Sequence, residues 1–152
     1  MSDQWPAIEL DDVQRFRVLA AAVPGASVTE RVVDAPVERV RELLADPQVL
    51  VAIQADIASA QLVRRTGDRV VLLVRSRWGM RARLEGQYRA GWCWLQSRFL
   101  VIGMAAVAEP GGGTRVAMTG GVRVPGRAAL VPVGVRRESR RALDKLEGLL
   151  GK

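Results

Sequence analysis

The order of the predicted elements constrains the fold of this chain more than any other feature. A strand pattern at Ser27–Asp34 is followed by a helical stretch from Val37 to about Ile53, and then by strand-like segments from Ala60 to Val124. One amphipathic helix, from about Val135 to Leu150, comes last. A sheet must cover its apolar face with another element, and here the last helix can do so. The order therefore predicts a curved antiparallel sheet closed by one long helix, which can enclose a small molecule.

Turn signals separate the strand segments. In Met80–Arg89, apolar or small residues alternate with polar ones, which predicts a strand with one buried and one wet face. Gly91 marks the next turn, and Pro110–Gly113 predicts a hairpin connection. Together with Ser27–Asp34, the predicted strands give a sheet of about seven: Gln61–Arg64, Arg69–Trp78, Met80–Arg89, Trp92–Phe99, Val101–Ala108 and Thr114–Val124.

Helical periodicity marks the remaining segments. An extra N-terminal helix is predicted at Leu10–Val23, with Pro24–Gly25 ending it. After the first strand, Asp46–Pro47 divides the helical stretch into two short helices, because the residue before a proline avoids the helical region. The last helix carries its apolar stripe at Val135, Ala142, Leu143, Leu146, Leu149 and Leu150.

Composition points to one globular domain and removes several chemistries. At 152 residues the chain fits one domain, 26–152, preceded by an N-terminal helical extension, 1–25. There is no histidine and Cys93 is the only cysteine, so this chain alone cannot build a zinc site or a histidine-based catalytic relay. No metal and no cofactor are expected. The single cysteine, the absence of a signal-peptide pattern and the lack of a long apolar run predict a cytoplasmic protein without a transmembrane segment.

The charge is strongly positive. The net charge is +7, and Lys145 and Lys152 are the only lysines, so arginine supplies nearly all of it. Arginines at 75, 77, 81, 83, 89, 115 and 123 predict a basic stripe on one face of the sheet. Such a stripe could contact RNA or anionic lipid, or could simply keep the face solvated. Regularly interleaved aromatics are missing, so nucleic acid is disfavoured as a partner, whereas peripheral membrane contact stays open. The sequence does not set the oligomeric state.

The segment Val32–Val40, which reads VVDAPVERV, leads into Leu43–Pro47 and carries a family resemblance. Together with Gly112–Val116 and the closing helix, it resembles the START-like (SRPBCC) superfamily of polyketide cyclases/dehydrases, coenzyme Q-binding proteins and pollen-allergen-like carriers. The resemblance covers about Ala26 to the C-terminus and implies that 26–152 is a START-like ligand-binding domain. It implies a helix-grip fold, in which a seven-stranded antiparallel sheet wraps around the last helix. It also implies an apolar ligand, such as a lipid or polyketide, between sheet and helix.

Alternation indicates which residues would face such a cavity. By the same alternation, Val122 is predicted to point toward the cavity. The orientation of the strand at 92–99 stays open: either Trp92, Trp94, Gln96 and Arg98 point inward, or Cys93, Leu95, Ser97 and Phe99 do. In the first case Gln96 and Arg98 would be polar anchors, and in the second the tryptophans would be exposed or packed under the N-terminal helix. The predicted ligand-binding residues are Trp78, Met80, Leu84, Tyr88, Trp94, Arg98, Met104 and Met118.

Three functions are compatible with these features. The first is carriage or sensing of a hydrophobic or amphipathic small molecule. The second is a cyclase/dehydratase-type enzyme, in which Tyr88 and Arg98 would stabilise a developing oxyanion, with Asp56 and Glu85 as further proton-transfer candidates. No residue here matches a specific catalytic motif, so the catalytic residues are unassigned. The third is a basic module that contacts RNA or protein and has a filled core.

Overall fold

A computed structural model of the chain describes residues 9–23, 26–54, 57–76, 79–98, 100–123, 130–131 and 135–151, without the side chains of 51, 121–123, 130–131 and 135–138. In chain order the elements are α1 (Asp12–Ala21), β1 (Thr29–Val33), α2 (Val37–Leu44), α3 (Pro47–Ile53), β2 (Ile57–Thr66), β3 (Arg69–Ser76), β4 (Arg81–Arg89), β5 (Trp92–Gln96), β6 (Leu100–Ala108), β7 (Thr114–Arg123), β8 (Leu130–Val131) and α4 (Val135–Leu150).

The strands form one antiparallel sheet in the order β1-β7-β6-β5-β4-β3-β2. Consecutive strands from β2 to β7 are neighbours, as short hairpin connections require, while β1 returns to pair with β7. The predicted α+β class, the seven-stranded sheet, the two short helices after the first strand and the extra N-terminal helix are confirmed. The two-residue β8, which pairs with β7, was not predicted.

Two boundaries differ from the sequence prediction for physical reasons. β2 runs over ten residues, from Ile57 to Thr66, because β3 supplies hydrogen-bonding partners well beyond the predicted Gln61–Arg64. The residue type of Pro36 suits the first helical position, but Pro36 lies one residue earlier, as the extended N-cap of α2 with φ −61° and ψ 146°. The proline ring fixes φ at a value that suits either position, so the sequence does not distinguish them.

The two faces of the sheet support separate apolar clusters. We call the face that α4 covers the inner face and the opposite one, against which α1 packs, the outer face. The inner cluster joins the sheet to α2, α3 and α4, and its larger members include Val40, Leu44, Leu50, Ile53, Leu72, Leu84, Tyr88, Leu95, Met104, Met118, Leu143 and Leu146. The outer cluster joins the sheet to α1 through Val13, Phe16, Ala20, Trp92, Trp94, Val101, Ala105 and Ala117.

Polar contacts also hold both covering helices on the sheet. The Arg31 guanidinium on β1 donates to Asp144 at 2.6 Å and to Glu147 at 2.7 Å, and so ties α4 to the edge of the sheet. On α1, the Asp12 carboxylate accepts two hydrogen bonds from Arg89 at 2.8 and 2.9 Å. Arg17 of α1 donates to Glu30 of β1. These charge-assisted hydrogen bonds orient the two helices, whose other contacts with the sheet are mainly apolar.

The ion pairs of α1 predict an acid sensitivity. Hydrogen bonds from Arg89 hold the pKa of Asp12 below its usual value, and those from Arg17 lower the pKa of Glu30. A carboxyl whose pKa is lower in the folded than in the unfolded state stabilises the fold above its unfolded pKa, and this contribution is lost as the pH falls through the folded pKa. We therefore expect the free energy of unfolding to decrease below about pH 4.

Urea titrations at a series of pH values measure this decrease. The double variant D12N/E30Q should show a shallower dependence on pH between about 2 and 4, because it no longer carries the two shifted carboxyls. An unchanged dependence in the variant would mean that these pairs do not contribute in solution.

Candidate functional site

Four of the predicted ligand-binding residues lie together on the inner face. Leu84 and Tyr88 come from β4, Met104 from β6 and Met118 from β7, and each is almost completely buried. Met104 and Met118 are directly opposite each other across the β6–β7 pair. The apolar side chains of α4, including Leu143, close the same cluster from the other side. The alternation in β4 therefore identified the correct face.

Tyr88 has a defined polar partner. Its hydroxyl donates a hydrogen bond to the backbone carbonyl oxygen of Leu44, at the end of α2, over 2.5 Å. Burial is the main cause that raises the pKa of Tyr88 above its usual value, so the phenol stays neutral. The residue therefore links the middle of the sheet to the end of α2 and presents its ring to the inner cluster.

Cys93 lies next to Tyr88 on the inner face, where the two residues are paired across β4 and β5. Its side chain is fully buried, and this burial raises the pKa of the thiol to about 12. A neutral thiol is a poor nucleophile. Cys93 therefore contributes apolar lining at this place rather than covalent chemistry.

The orientation of β5 follows the second of the two alternatives left open by the sequence. Cys93 and Leu95 point to the inner cluster, whereas Trp92 and Trp94 lie on the outer face. The rings of both tryptophans make edge-on contacts with Phe16 of α1, at centroid distances of 6.0 and 5.7 Å. The prediction of Trp94 as a residue facing the cavity is thus corrected: it packs under the N-terminal helix.

Of the other predicted residues, Met80 and Arg98 do not belong to the inner cluster, and Trp78 lies outside the residues that the structure describes. Met80 precedes β4 and is 72% exposed, because the strand begins only at Arg81 and α4 does not reach its side chain. Arg98 is exposed in the turn that follows β5, so it does not serve as an anchor on the inner face. Trp78 lies outside the described residues, as do Asp56 and the side chain of Val122.

The structure does not bring together the three catalytic candidates that it describes, Tyr88, Arg98 and Glu85. Tyr88 is buried and pairs with Cys93 at the start of β5, whereas Arg98 is exposed beyond the end of that strand. Glu85 is exposed on the outer face, where it forms an ion pair with Arg83 at 3.0 Å. The Tyr88–Arg98 pair that an oxyanion would require is therefore not formed in this arrangement.

Ser139 is a buried polar residue that the sequence reasoning missed. It is 7% exposed and precedes the buried Ala142 and Leu143 by three and four positions on α4. Residues at this spacing share one face of a helix, and Leu146 continues it. The signal was present in the sequence as a hydroxyl on the apolar stripe of the last helix.

A surface groove next to the inner cluster was also not predicted. It has a volume of about 710 Å³ and lies between α2, α3 and the end of α4. Its lining is both apolar and charged: Pro36, Glu38, Arg39, Glu42, Leu43, Asp46, Val49 and Leu149. Leu43 and Val49 also pack against the inner cluster, so the groove adjoins the apolar interior.

Metal ligation and membrane crossing were also considered for the described part of the chain. Among those residues, no three side chains of histidine, cysteine, aspartate or glutamate come close enough to hold a metal ion. None of the helices described has the combination of length and apolar character that a membrane span requires.

Comparisons with known proteins were made for sequence and for structure. No sequence-family profile and no curated protein matches the chain. Among solved structures, a protein of Thermus thermophilus is 21% identical, with 82% of this chain and 96% of that chain covered and a TM-score of 0.59.

Two further structures have informative names. The Zhui aromatase/cyclase of a Streptomyces species is 15% identical, with 83% of this chain and 91% of that chain covered and a TM-score of 0.57. Ara h 8.0201 is also 15% identical, with coverages of 82% and 96% and a TM-score of 0.53. At these identities the likeness concerns the fold, and it agrees with the sheet order and the position of α4 described above. This chain therefore shares its α+β helix-grip fold with these structures.

Proposed function

We propose that this protein binds a hydrophobic or amphipathic small molecule, such as a lipid or polyketide, between the inner face of the sheet and α4. The observation that carries the proposal is the continuity of the inner cluster with the surface groove. Leu43 and Val49 line the groove and also contact the cluster. A concave opening that adjoins an apolar interior is usual for a small-molecule site. The charged side chains that line the groove are not members of the inner cluster.

The ligand would contact Leu84, Tyr88, Met104 and Met118. Methionine has three rotatable side-chain bonds and a polarisable sulfur, so Met104 and Met118 can adjust to ligands of different shape. Trp78 stays a predicted contact. Trp94, Arg98 and Met80 are not part of the proposed site, because the first packs against α1 and the other two are exposed.

Ser139 would give the site its polar preference. A buried hydroxyl on the stripe of α4 that faces the sheet can donate to a carbonyl or accept from a hydroxyl of the ligand. An apolar site with one such group favours a ligand with a single polar end over a pure hydrocarbon. The neighbour named as an aromatase/cyclase supports a small organic ligand for this fold, although fold likeness does not identify which.

Native mass spectrometry of freshly purified protein tests the proposal. We expect a stoichiometric apolar molecule, which organic extraction followed by mass analysis would assign to a chemical class. Protein without a bound molecule would next be titrated with a panel of lipids and aromatic polyketides. Failure to bind any of them would contradict the proposal.

Two matched variants, each with leucine in place of a buried alanine, locate the site. A142L adds volume between α4 and the sheet, whereas A105L adds the same volume on the outer face under α1. Both should cost about 1–3 kcal/mol of stability through overpacking. Only A142L should weaken ligand binding, by at least about ten-fold, which is about 1.4 kcal/mol. Equal effects of the two variants on binding would place the ligand elsewhere.

A further inference from the structure

The outer face is only partly covered by α1 in the part of the chain that the structure describes. α1 packs on β6 and β7 and on the two tryptophans of β5. Strands β2, β3 and β4 continue the same face beyond the helix. The outward side chains of these three strands are exposed or half-buried, so this region is available to a partner.

The exposed part of the outer face is strongly basic. We call it the arginine face and define it by Arg64, Arg69, Arg75, Arg81 and Arg83, which are all exposed. The strand register places Arg75 directly opposite Arg81. Like charges in this position destabilise a sheet. Glu85 is the one acidic residue that the three strands direct to this face, and Arg83 pairs with it.

Apolar side chains lie among these arginines. Leu73 is 44% exposed and is directly opposite Arg83, and Val71 is half-buried beside it. Val63 is exposed at a register shift in β2, at the margin of the same region. Apolar side chains that lie together among cations give this face the mixed character of a surface that contacts both charged and apolar groups.

We propose that the arginine face docks onto the surface of an anionic lipid bilayer. The guanidinium groups would contact lipid phosphates, while Leu73 and Val63 would reach the boundary of the acyl region. Nucleic acid fits less well, because the described residues of this face include no aromatic side chain on which bases could stack. The proposal does not depend on the ligand site, which lies on the other face of the sheet.

Vesicle co-sedimentation of the full chain tests the docking surface. We expect binding to vesicles of phosphatidylcholine with phosphatidylglycerol, little binding to phosphatidylcholine alone, and a steep decrease in binding as salt is added. The variant R75E/R81E should bind the anionic vesicles at least on the order of 100-fold more weakly, because each basic residue near such a surface contributes about a five-fold gain. The variant R75K/R81K should retain most of the binding.

A charge-matched control separates the face from the net charge. The variant R140E/K145E makes the same change in net charge at two exposed positions of α4, which lies on the opposite side of the sheet. It should bind the anionic vesicles within a few-fold of the parent chain. Circular dichroism and thermal melting verify that all variants are folded, and R75Q/R81Q, which is milder, replaces R75E/R81E if that variant unfolds.

Three results would overturn the proposal. One is equal binding of the parent chain to both kinds of vesicle, or to neither. Another is an equal loss of binding in R75E/R81E and R140E/K145E, which would indicate a net-charge effect without a docking face. The last is tighter binding of a single-stranded RNA oligonucleotide than of anionic vesicles, with the loss of RNA binding confined to R75E/R81E, which would make this face a nucleic-acid surface.

Discussion

Replacement of Gly86 by alanine should destabilise the fold by more than about 4 kcal/mol. A Cβ atom at this position would lie 1.9 Å from the backbone carbonyl oxygen of Trp94 and 3.2 Å from the Cα of Leu95. Both are backbone atoms, so a change of side-chain rotamer cannot relieve the overlap. β4 and β5 would have to separate where they are paired, next to Leu84 and Tyr88. Circular dichroism and urea unfolding measure the loss.

Gly148 provides a matched control for this substitution. Apart from its own turn of α4, a Cβ atom there would meet no atom of the described residues within 4 Å. G148A should therefore stabilise the chain by about 0.5–1 kcal/mol, because alanine favours the helix more than glycine does. If the free energy of unfolding of G86A were within about 1 kcal/mol of that of the parent chain, the close approach of β5 to β4 would not exist in solution.

Replacement of Phe16 by alanine should have the second largest effect, a loss of about 3–5 kcal/mol. The ring is fully buried, contacts Trp92 and Trp94 and lies directly on the backbone of Gly103, where a Cβ would be 2.8 Å from Phe16 Cε2. Its removal leaves a cavity that the rigid sheet cannot fill. We expect α1 to leave the outer face and the emission of the two tryptophans to shift to longer wavelength as water reaches them.

Val18 serves as the control on the same helix. It is 62% exposed, so V18A should change the stability by less than about 0.5 kcal/mol. The tryptophan emission of V18A should be the same as that of the parent chain. The inner cluster does not include Phe16, so F16A should keep its ligand binding as long as the rest of the chain stays folded. Unchanged tryptophan emission in F16A would contradict the packing of α1 on the outer face.

The sequence predicts the buried face of an element best where the opposite face is exposed to solvent. In β4, charged residues alternate with Leu84 and Tyr88, so the buried face can be identified without knowledge of its neighbours. In β5, Trp92, Cys93, Trp94 and Leu95 are all buried, because α1 covers one face and α4 the other. Alternation then carries no information, and the orientation depends on the tertiary position of α1.

Features that depend on the ends or the packing of elements could not be predicted. The periodicity in Met80–Arg89 extends to Met80, but the strand begins one residue later and Met80 is exposed. The groove requires that the end of α4, with Leu149, lies near Leu43 and Val49 of α2 and α3. These residues are about a hundred positions apart in the chain, and no local pattern relates them.

Within the part of the chain that the structure describes, β2 has a neighbouring strand on one side only, so half of its peptide groups face outward from the sheet. A free edge of ten residues that includes Leu62 and Val63 could act as a template for the same strand of another copy. The register shifts at Ile57–Ser59 and Leu62–Arg64 interrupt its row of outward N–H and C=O groups. The irregularity of this strand therefore protects concentrated protein against edge-to-edge aggregation.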